Sequence, residues 1–115
     1  MIYTNKQGGD NMIKMLDKKS FEEMLEVKEK LIIIDFFADW CMPCKMLSPV
    51  YEEVSQLYTE VEFCKINIDL SEEIVSKYEI DSVPTLIFIK NGIVINQEIG
   101  FRNANELKDL IERYQ

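Results

Sequence analysis

The fold of this chain is decided by residues 31–58, which read LIIIDFFADWCMPCKMLSPVYEEVSQLY. The first seven residues are apolar except for Asp35. A run this short, rich in β-branched and aromatic residues, predicts a strand buried on both faces. Apolar residues then recur at steps of three and four, at Leu47, Val50, Val54, Leu57 and Tyr58. This spacing predicts an amphipathic helix directly after the strand, and we expect Pro49 to kink it.

Another strand and another helix are expected before this segment. Residues 13–16 form a short apolar run that predicts an edge strand. Asp17 is a suitable N-cap for the helix that follows, and Ser20 with Glu23 offers a second capping box. We expect this helix to reach about Lys28.

A third strand and a short helix are expected after the central segment. The strand is predicted over residues 62–69. Asp69 with Glu72, or Ser71 itself, can cap the helix that follows, which is expected to end near Tyr78.

The next part of the chain carries a β-hairpin signal. Asn91 and Gly92 lie between two apolar runs, residues 85–90 and 93–99. Both residues of a two-residue hairpin turn must adopt positive φ, which Asn and Gly tolerate well. The two runs are therefore predicted to be adjacent antiparallel strands.

The last predicted helix completes a regular alternation of strands and helices. Asn103 with Glu106 can cap it, and its apolar stripe consists of Leu107, Leu110, Ile111 and Tyr114. The order is then β-α-β-α-β-α-β-β-α. Strands separated by helices imply parallel pairing with right-handed crossovers, and the hairpin adds antiparallel strands. The sequence thus predicts an α/β domain with a mixed sheet.

Composition and length restrict the possible classes of function. The 115 residues fit one domain, which we place at residues 13–115, with residues 1–12 as a flexible N-terminal extension. A net charge of −8 argues against nucleic-acid binding, which requires clustered Lys and Arg. No apolar run reaches the length of about 18 residues that suggests a membrane span, and the N-terminus lacks the pattern of a signal peptide. We therefore expect a cytoplasmic protein without membrane or nucleic-acid partners.

Cys41 and Cys44 are the candidate reactive groups. A zinc site usually needs four Cys or His ligands, but the chain has no His and only one further cysteine, Cys64. Haem attachment needs a His after the second cysteine, where Lys45 stands, and a cysteine protease needs a His base. A dithiol that cycles with a disulfide remains, beside two ordinary buried cysteines or a static bridge.

The predicted position of the pair favours redox chemistry. Cys41 is expected at a helix N-terminus, where unpaired backbone N–H groups and the helix dipole favour a thiolate, the attacking species in disulfide exchange. Cys44 lies one turn further on, can reach Cys41 and is expected to be more buried. Pro43 fits the first helical turn because its missing N–H costs little there.

Residues 35–45, DFFADWCMPCK, resemble the active-site segment of thioredoxins. Further matches to that family follow in order along the chain: Pro49, KINID at residues 65–69, Val83-Pro84-Thr85, Asn91-Gly92 and Gly100. The resemblance covers the chain from about residue 13 to the C-terminus. It implies the thioredoxin fold, a central five-stranded mixed sheet flanked by four helices in three α/β/α layers.

The resemblance also implies an activity. The chain is expected to reduce protein disulfides by dithiol–disulfide exchange, with Cys41–Cys44 as the redox-active disulfide and no bound cofactor. The implied partners are disulfide-containing client proteins and a thioredoxin reductase, either a flavin enzyme using NADPH or a ferredoxin-linked one. We expect the chain to be a monomer. The alternatives are an adaptor or binding module in a larger assembly, and an oxidant or isomerase that uses the same cysteines.

Asp35 and Lys65 are implied to assist the proton transfers. Asp35 is the one charge in an apolar run, so burial should raise the pKa of its carboxyl. In thioredoxins the matching carboxylate is held to assist proton transfer at the resolving cysteine, here Cys44, with the lysine matching Lys65 nearby.

The remaining matches outline a substrate groove. In the family a cis proline, here Pro84, faces the cysteines, although most X–Pro bonds are trans. The residue before it, Val83, offers backbone groups to an extended peptide, and Trp40 and Gly100 form the rest of the rim. Met42 and Pro43, between the cysteines, are included among the substrate-binding residues.

Three residues stand out beside this pattern. Met42 replaces the glycine that most members carry between the cysteines, which leaves the reduction potential open. Phe37 stands where many members have a second tryptophan. Cys64, in the third predicted strand, is interpreted as a buried structural residue, since free cysteine behaves as a small hydrophobe.

Overall fold

A computed structural model describes residues 13–115, so the predicted N-terminal extension lies outside the described residues. The elements are β1 (Lys14–Met15), α1 (Lys18–Leu25), β2 (Leu31–Phe37), α2 (Met42–Ser55), β3 (Glu62–Asn67), α3 (Glu72–Lys77), β4 (Thr85–Lys90), β5 (Ile93–Ile99) and α4 (Ala104–Tyr114). A 3-10 helix, Ile68–Leu70, links β3 to α3. The predicted order of strands and helices is confirmed.

The described strands form one five-stranded mixed sheet in the order β1-β3-β2-β4-β5. β2 pairs parallel with β3 and antiparallel with β4, and β5 pairs antiparallel with β4. Six of the seven residues of β2 are buried, as its apolar run predicts. The register places Asp35 of β2 beside Lys65 of β3 and beside Leu86 of β4.

Helices cover both faces of the sheet and give the predicted three-layer arrangement. One core cluster joins α1 and α3 to the face of β2 that carries Ile32 and Ile34. The other joins α2 and α4 to the opposite face, which carries Ile33 and Phe63. Asp35 follows Ile33 at the strand period of two, so it lies on the α2 and α4 face.

The hairpin and the final helix form as their local sequences predict. Asn91 and Gly92 both have positive φ, 53° and 78°, between β4 and β5. Asn103 and Glu106 form a reciprocal capping box at the start of α4. In both places a few neighbouring residues determine the local backbone structure. The sequence alone is therefore sufficient to predict it.

Other helix boundaries differ from the prediction. The capping box of α1 joins Asp17 to Ser20, rather than Ser20 to Glu23, and the helix ends at Leu25 instead of about Lys28. Leu57, expected in the buried stripe of α2, is 59% exposed because the helix ends two residues earlier, at Ser55.

The C-terminal end of β3 and the capping of α3 also differ from the prediction, whereas β3 begins at Glu62 as predicted. β3 ends at Asn67, whose side chain accepts a hydrogen bond from the Asp69 N–H and starts the 3-10 helix. The predicted side-chain cap of α3 does not form, since Ser71 is the N-cap residue but makes no capping hydrogen bond. None of the helices in residues 13–115 is long and apolar enough to span a membrane.

Candidate active site

Cys41 and Cys44 lie where the buried strand β2 leads into α2. Cys41 is the N-cap residue of α2, with Met42 and Pro43 in the first turn and Cys44 immediately after them. A disulfide joins the two cysteines, whose Cα atoms are 5.3 Å apart. The strand holds the start of the helix in place, because it is paired on both sides within the sheet.

The Cys41 sulfur occupies the position of a helix-capping acceptor. The backbone N–H of Cys44 donates a hydrogen bond to Cys41 Sγ over 3.2 Å. Such a donor, together with the positive end of the helix dipole, stabilises negative charge on the sulfur and lowers the pKa of a thiol. When the disulfide is open, this geometry favours Cys41 as a thiolate.

The expected difference in burial between the two cysteines is not found in the disulfide form. Cys41 is 5% exposed and Cys44 is 4% exposed. The bond holds both sulfurs at one depth, in a small cluster with Ala38 and Val83. Their separate roles therefore rest on the N-cap position of Cys41 rather than on accessibility.

The loop before β4 lies against the disulfide. The Val83–Pro84 peptide bond is cis, as the resemblance implied. Cys41 Sγ lies 3.6 Å from the Val83 carbonyl oxygen, and the Pro84 carbonyl accepts a hydrogen bond of 2.8 Å from the Gly100 N–H. The chain thus brings Val83, Pro84 and Gly100 together beside the cysteines, although they lie about forty to sixty residues further along the sequence.

The outer surface of the site is apolar and exposed. Trp40 is 68% exposed, Met42 is 64% exposed, and Pro43 is exposed beside them. Large apolar side chains exposed at neighbouring positions are characteristic of interaction sites. Pro84, by contrast, is buried, and Val83 before it is half-buried.

Asp35 is buried without a hydrogen-bond partner among the described residues. Its exposed fraction is 0%, and both carboxylate oxygens are unpaired. Burial raises the pKa of this carboxyl from 3.8 to about 7, and the positive charge of Lys65 partly opposes the rise. Asp35 can therefore take up and release a proton near neutral pH.

Lys65 lies beside Asp35 in the sheet, but the two side chains do not form a salt bridge within the described structure. The Lys65 ammonium nitrogen is 3.3 Å from the Ser48 hydroxyl oxygen and 4.7 Å from the centre of the Phe37 ring. The resemblance implied that Lys65 lies near Asp35. It did not imply the contacts of Lys65 with Ser48 and Phe37.

The comparisons with known proteins agree with this site. The thioredoxin family model matches residues 12–113. The chain belongs to the thioredoxin family. It is 42% identical over 96 residues to thioredoxin of Mycoplasmoides gallisepticum, covering 84% of this chain and 95% of that protein. It is 39% identical over 103 residues to thioredoxin 1 of Plasmodium falciparum, covering 90% of this chain and 98% of that protein.

Solved thioredoxin structures have the same fold. The crystal structure of Fasciola hepatica thioredoxin superposes with a TM-score of 0.83 at 35% identity, covering 90% of this chain and the whole of that one. Membership of the thioredoxin family and the Cys41–Cys44 disulfide together make this chain a thiol–disulfide oxidoreductase of the protein-disulfide reductase type.

The third cysteine of this thioredoxin-family chain does not have the environment of a reactive thiol. Cys64 is free and fully buried in β3. Burial raises the pKa of its thiol to about 12. Because the thiolate is the reactive form, Cys64 is inert at neutral pH in the folded protein.

Asp69 contributes to the site in a way that the sequence did not reveal. It was predicted to cap α3, but its carboxylate accepts a hydrogen bond of 3.0 Å from the Trp40 indole nitrogen. This bond fixes the edge of the exposed ring. No local pattern signals it, because the two residues are 29 positions apart and meet only through the parallel pairing of β2 and β3.

Trp40 fluorescence should report the redox state of the pair. Trp40 is the only tryptophan of the chain and directly precedes Cys41. We expect its emission to change when dithiothreitol opens the disulfide, since the sulfurs beside the indole then change their bonding and charge. The double variant Cys41→Ser/Cys44→Ser is the control and should not respond to dithiothreitol. Identical emission spectra of the oxidised and reduced parent protein would contradict this placement of Trp40.

Proposed function

We propose that this chain reduces disulfides of client proteins, with Cys41 as the attacking and Cys44 as the resolving cysteine. The observation that carries the proposal is the N-cap position of Cys41, whose sulfur accepts the Cys44 N–H bond at the start of α2. A thiolate there attacks a disulfide, whereas no residue in the described part of the chain donates a hydrogen bond to the Cys44 sulfur, which lies inside the first turn.

The first step forms a mixed disulfide. The Cys41 thiolate attacks one sulfur of the client disulfide, so that a bond forms between Cys41 Sγ and that sulfur while the client S–S bond breaks. The other client sulfur leaves as a thiolate and takes a proton from solvent. The client is only half reduced at this stage, because one of its two sulfurs is still held in a disulfide, now with Cys41.

The second step resolves the mixed disulfide and uses Asp35. The Cys44 thiol gives its proton to the Asp35 carboxylate, and the resulting thiolate attacks Cys41 Sγ. The Cys41–Cys44 bond forms, the bond from Cys41 to the client breaks, and the client sulfur leaves as a thiolate and is protonated. Two electrons have then passed from the cysteine pair to the client. A carboxyl with a pKa of about 7 suits this transfer at neutral pH.

The surface around the disulfide supports a broad range of protein clients. Trp40, Met42 and Pro43 offer an exposed apolar surface on one side of the sulfurs. Val83 lies against the Cys41 sulfur and Gly100 against Pro84, and we expect the backbone of Val83 to pair with an extended peptide there. Recognition through backbone hydrogen bonds and apolar contact depends little on the identity of the client side chains.

The catalytic cycle requires that a second protein restore the dithiol. We propose a thioredoxin reductase, either a flavin enzyme drawing on NADPH or a ferredoxin-linked one, so that the chain carries electrons from this reductase to its clients. We place the cycle in the cytoplasm, where a reducing environment keeps such pairs active, and propose that the chain acts as a monomer without a bound cofactor.

Insulin reduction tests this function. With NADPH, a flavin-dependent thioredoxin reductase and catalytic amounts of the chain, we expect insulin to be reduced over many turnovers, with one NADPH consumed for each insulin disulfide reduced. The reaction without the chain is the control. A chain that binds disulfide proteins but gives no turnover, even with dithiothreitol as the reductant, would indicate an adaptor instead of a reductase.

A further inference from the structure

Ser48 is a polar residue of α2 on the face that meets the active-site strand. Cys44, Ser48 and Tyr51 are four and three residues apart, which places them on one side of the helix. Cys44 and Tyr51 are buried on this side, and Ser48 between them is half-buried. Along this side of the helix, Ser48 therefore lies between Cys44 and the core residue Tyr51.

The Ser48 hydroxyl contacts the Lys65 ammonium group. Its oxygen accepts a hydrogen bond of 3.3 Å from Lys65 Nζ, and the centre of the Phe37 ring lies 4.7 Å from the same nitrogen. A cation held over an aromatic face gains further attraction from the ring. These two contacts occupy the ammonium group, while both oxygens of the neighbouring Asp35 have no partner in residues 13–115.

We propose that Ser48 is a positioning residue for proton transfer at Cys44, which holds the Lys65 ammonium group at the Phe37 ring and away from a salt bridge with Asp35. The proposal rests on the proposed role of Asp35 as the proton acceptor. A carboxylate in a salt bridge with Lys65 would be a weaker base, and its oxygens would be turned to the cation. With Lys65 held by Ser48, the carboxylate stays unpaired and available.

The other elements that pack against Asp35 offer no competing cation. β3 contributes Lys65 itself, and β4 places the apolar Leu86 opposite Asp35. α2 contributes the Tyr51 hydroxyl, which lies 3.0 and 2.8 Å from the carbonyl oxygens of Ile33 and Cys64 and is therefore engaged with the backbone. α4 packs on this face with apolar side chains such as Leu107. Of the titratable groups facing Asp35 among the described residues, the Lys65 ammonium is thus the one that carries positive charge.

Ser48→Ala should therefore change the titration of Asp35 in a defined direction. Without the hydroxyl, Lys65 loses its hydrogen-bond acceptor and can turn to the unpaired buried carboxylate nearby. An opposite charge at close range favours the ionised carboxyl and lowers its pKa, by about one to three pH units in known cases. We expect the Asp35 midpoint to fall by about one pH unit in the variant.

Carboxyl-carbon NMR of the oxidised protein measures this midpoint directly, because the disulfide removes Cys41 and Cys44 from the titration. Ser48→Thr keeps a hydroxyl and should titrate like the parent. Lys65→Met removes the cation and should move the midpoint upward. The pH profile of insulin reduction should shift downward with Ser48→Ala, by about as much as the NMR midpoint.

Two outcomes overturn the inference. One is an Asp35 midpoint in Ser48→Ala that is unchanged or higher than in the parent. The other is a midpoint in Ser48→Thr that shifts as far as in Ser48→Ala, since the hydroxyl would then not be responsible. Asp35→Asn separates this inference from the proposed function: if that variant turns over at the parent's rate, Asp35 is not the proton acceptor, whatever the Ser48 variants show.

Discussion

Cys41→Ser is expected to abolish dithiothreitol-driven reduction of insulin, leaving only the background rate of dithiothreitol itself. A serine hydroxyl is not ionised near neutral pH and cannot form the mixed disulfide. Cys44→Ser should behave differently, because Cys41 can still attack the client while no thiol resolves the product. Once it has been reduced and freed of dithiothreitol, we expect this variant to accumulate mixed disulfides with insulin, visible on non-reducing gels and released when dithiothreitol is added back.

Cys64→Ala is the matched control for the two cysteine variants. Cys64 is buried, and the high pKa of its thiol makes it unreactive, so its removal should leave insulin reduction near the parent rate. The assigned roles would be contradicted if Cys41→Ser trapped the client and Cys44→Ser did not. Trapping by both variants would mean that either sulfur can attack.

Asp35→Asn is expected to stabilise the oxidised protein at neutral and alkaline pH. The rise in the Asp35 pKa from 3.8 to about 7 means that ionising this carboxyl is unfavourable in the folded state. The unfolded chain loses its proton near pH 4, so the parent's stability falls from about pH 4 to about pH 7 and stays low above that. This loss amounts to about 4 kcal/mol at about 1.4 kcal/mol for each pH unit.

Asn has a similar size and cannot ionise, so the variant avoids this loss. Part of the gain is offset because the amide, like the carboxyl, has no partner in its buried position. We expect a net gain of about 2–3 kcal/mol in the free energy of unfolding at about pH 8, and little difference below about pH 4. Urea unfolding between about pH 4 and pH 9 measures both.

The same substitution removes the proposed proton acceptor of the second step. We expect insulin reduction to slow by about tenfold or more at neutral pH, with mixed disulfide accumulating. Asp39→Asn is the control, since Asp39 is exposed four residues further along and the substitution is chemically the same. A variant less stable than the parent at about pH 8 would contradict the burial of an unpaired carboxylate, and unchanged turnover would remove Asp35 from the mechanism.

The parts of the fold that the sequence predicted well are those determined by neighbours along the chain. The β2 strand follows from one apolar run, the β4–β5 hairpin from Asn91-Gly92, and the start of α4 from Asn103 and Glu106. The Cys41–Cys44 pair could likewise be placed at a helix start from spacing alone. In each case the signal lies in residues close together in the sequence, although the burial of β2 also requires its pairing with β3 and β4.

The features that the sequence did not predict are of two kinds. Some depend on contacts between residues far apart in the chain, and others on helix ends that differ little in energy. Leu57 fits the helical period, yet α2 ends before it, and periodicity does not determine where a helix stops. The Asp69–Trp40 hydrogen bond and the Lys65–Ser48 contact join residues 29 and 17 positions apart. Such contacts require the register of the sheet and the packing of α2, which no local pattern contains.

The equilibrium potential of the Cys41–Cys44 couple against glutathione tests the central claim most directly. The purified chain is equilibrated in mixtures of reduced and oxidised glutathione, and the fraction in the disulfide form is read after acid quenching and alkylation. A reductant of protein disulfides should have a lower potential than glutathione, so that its dithiol form reduces oxidised glutathione. A potential clearly above that of glutathione, as in oxidants and isomerases, would contradict the proposed direction of electron flow.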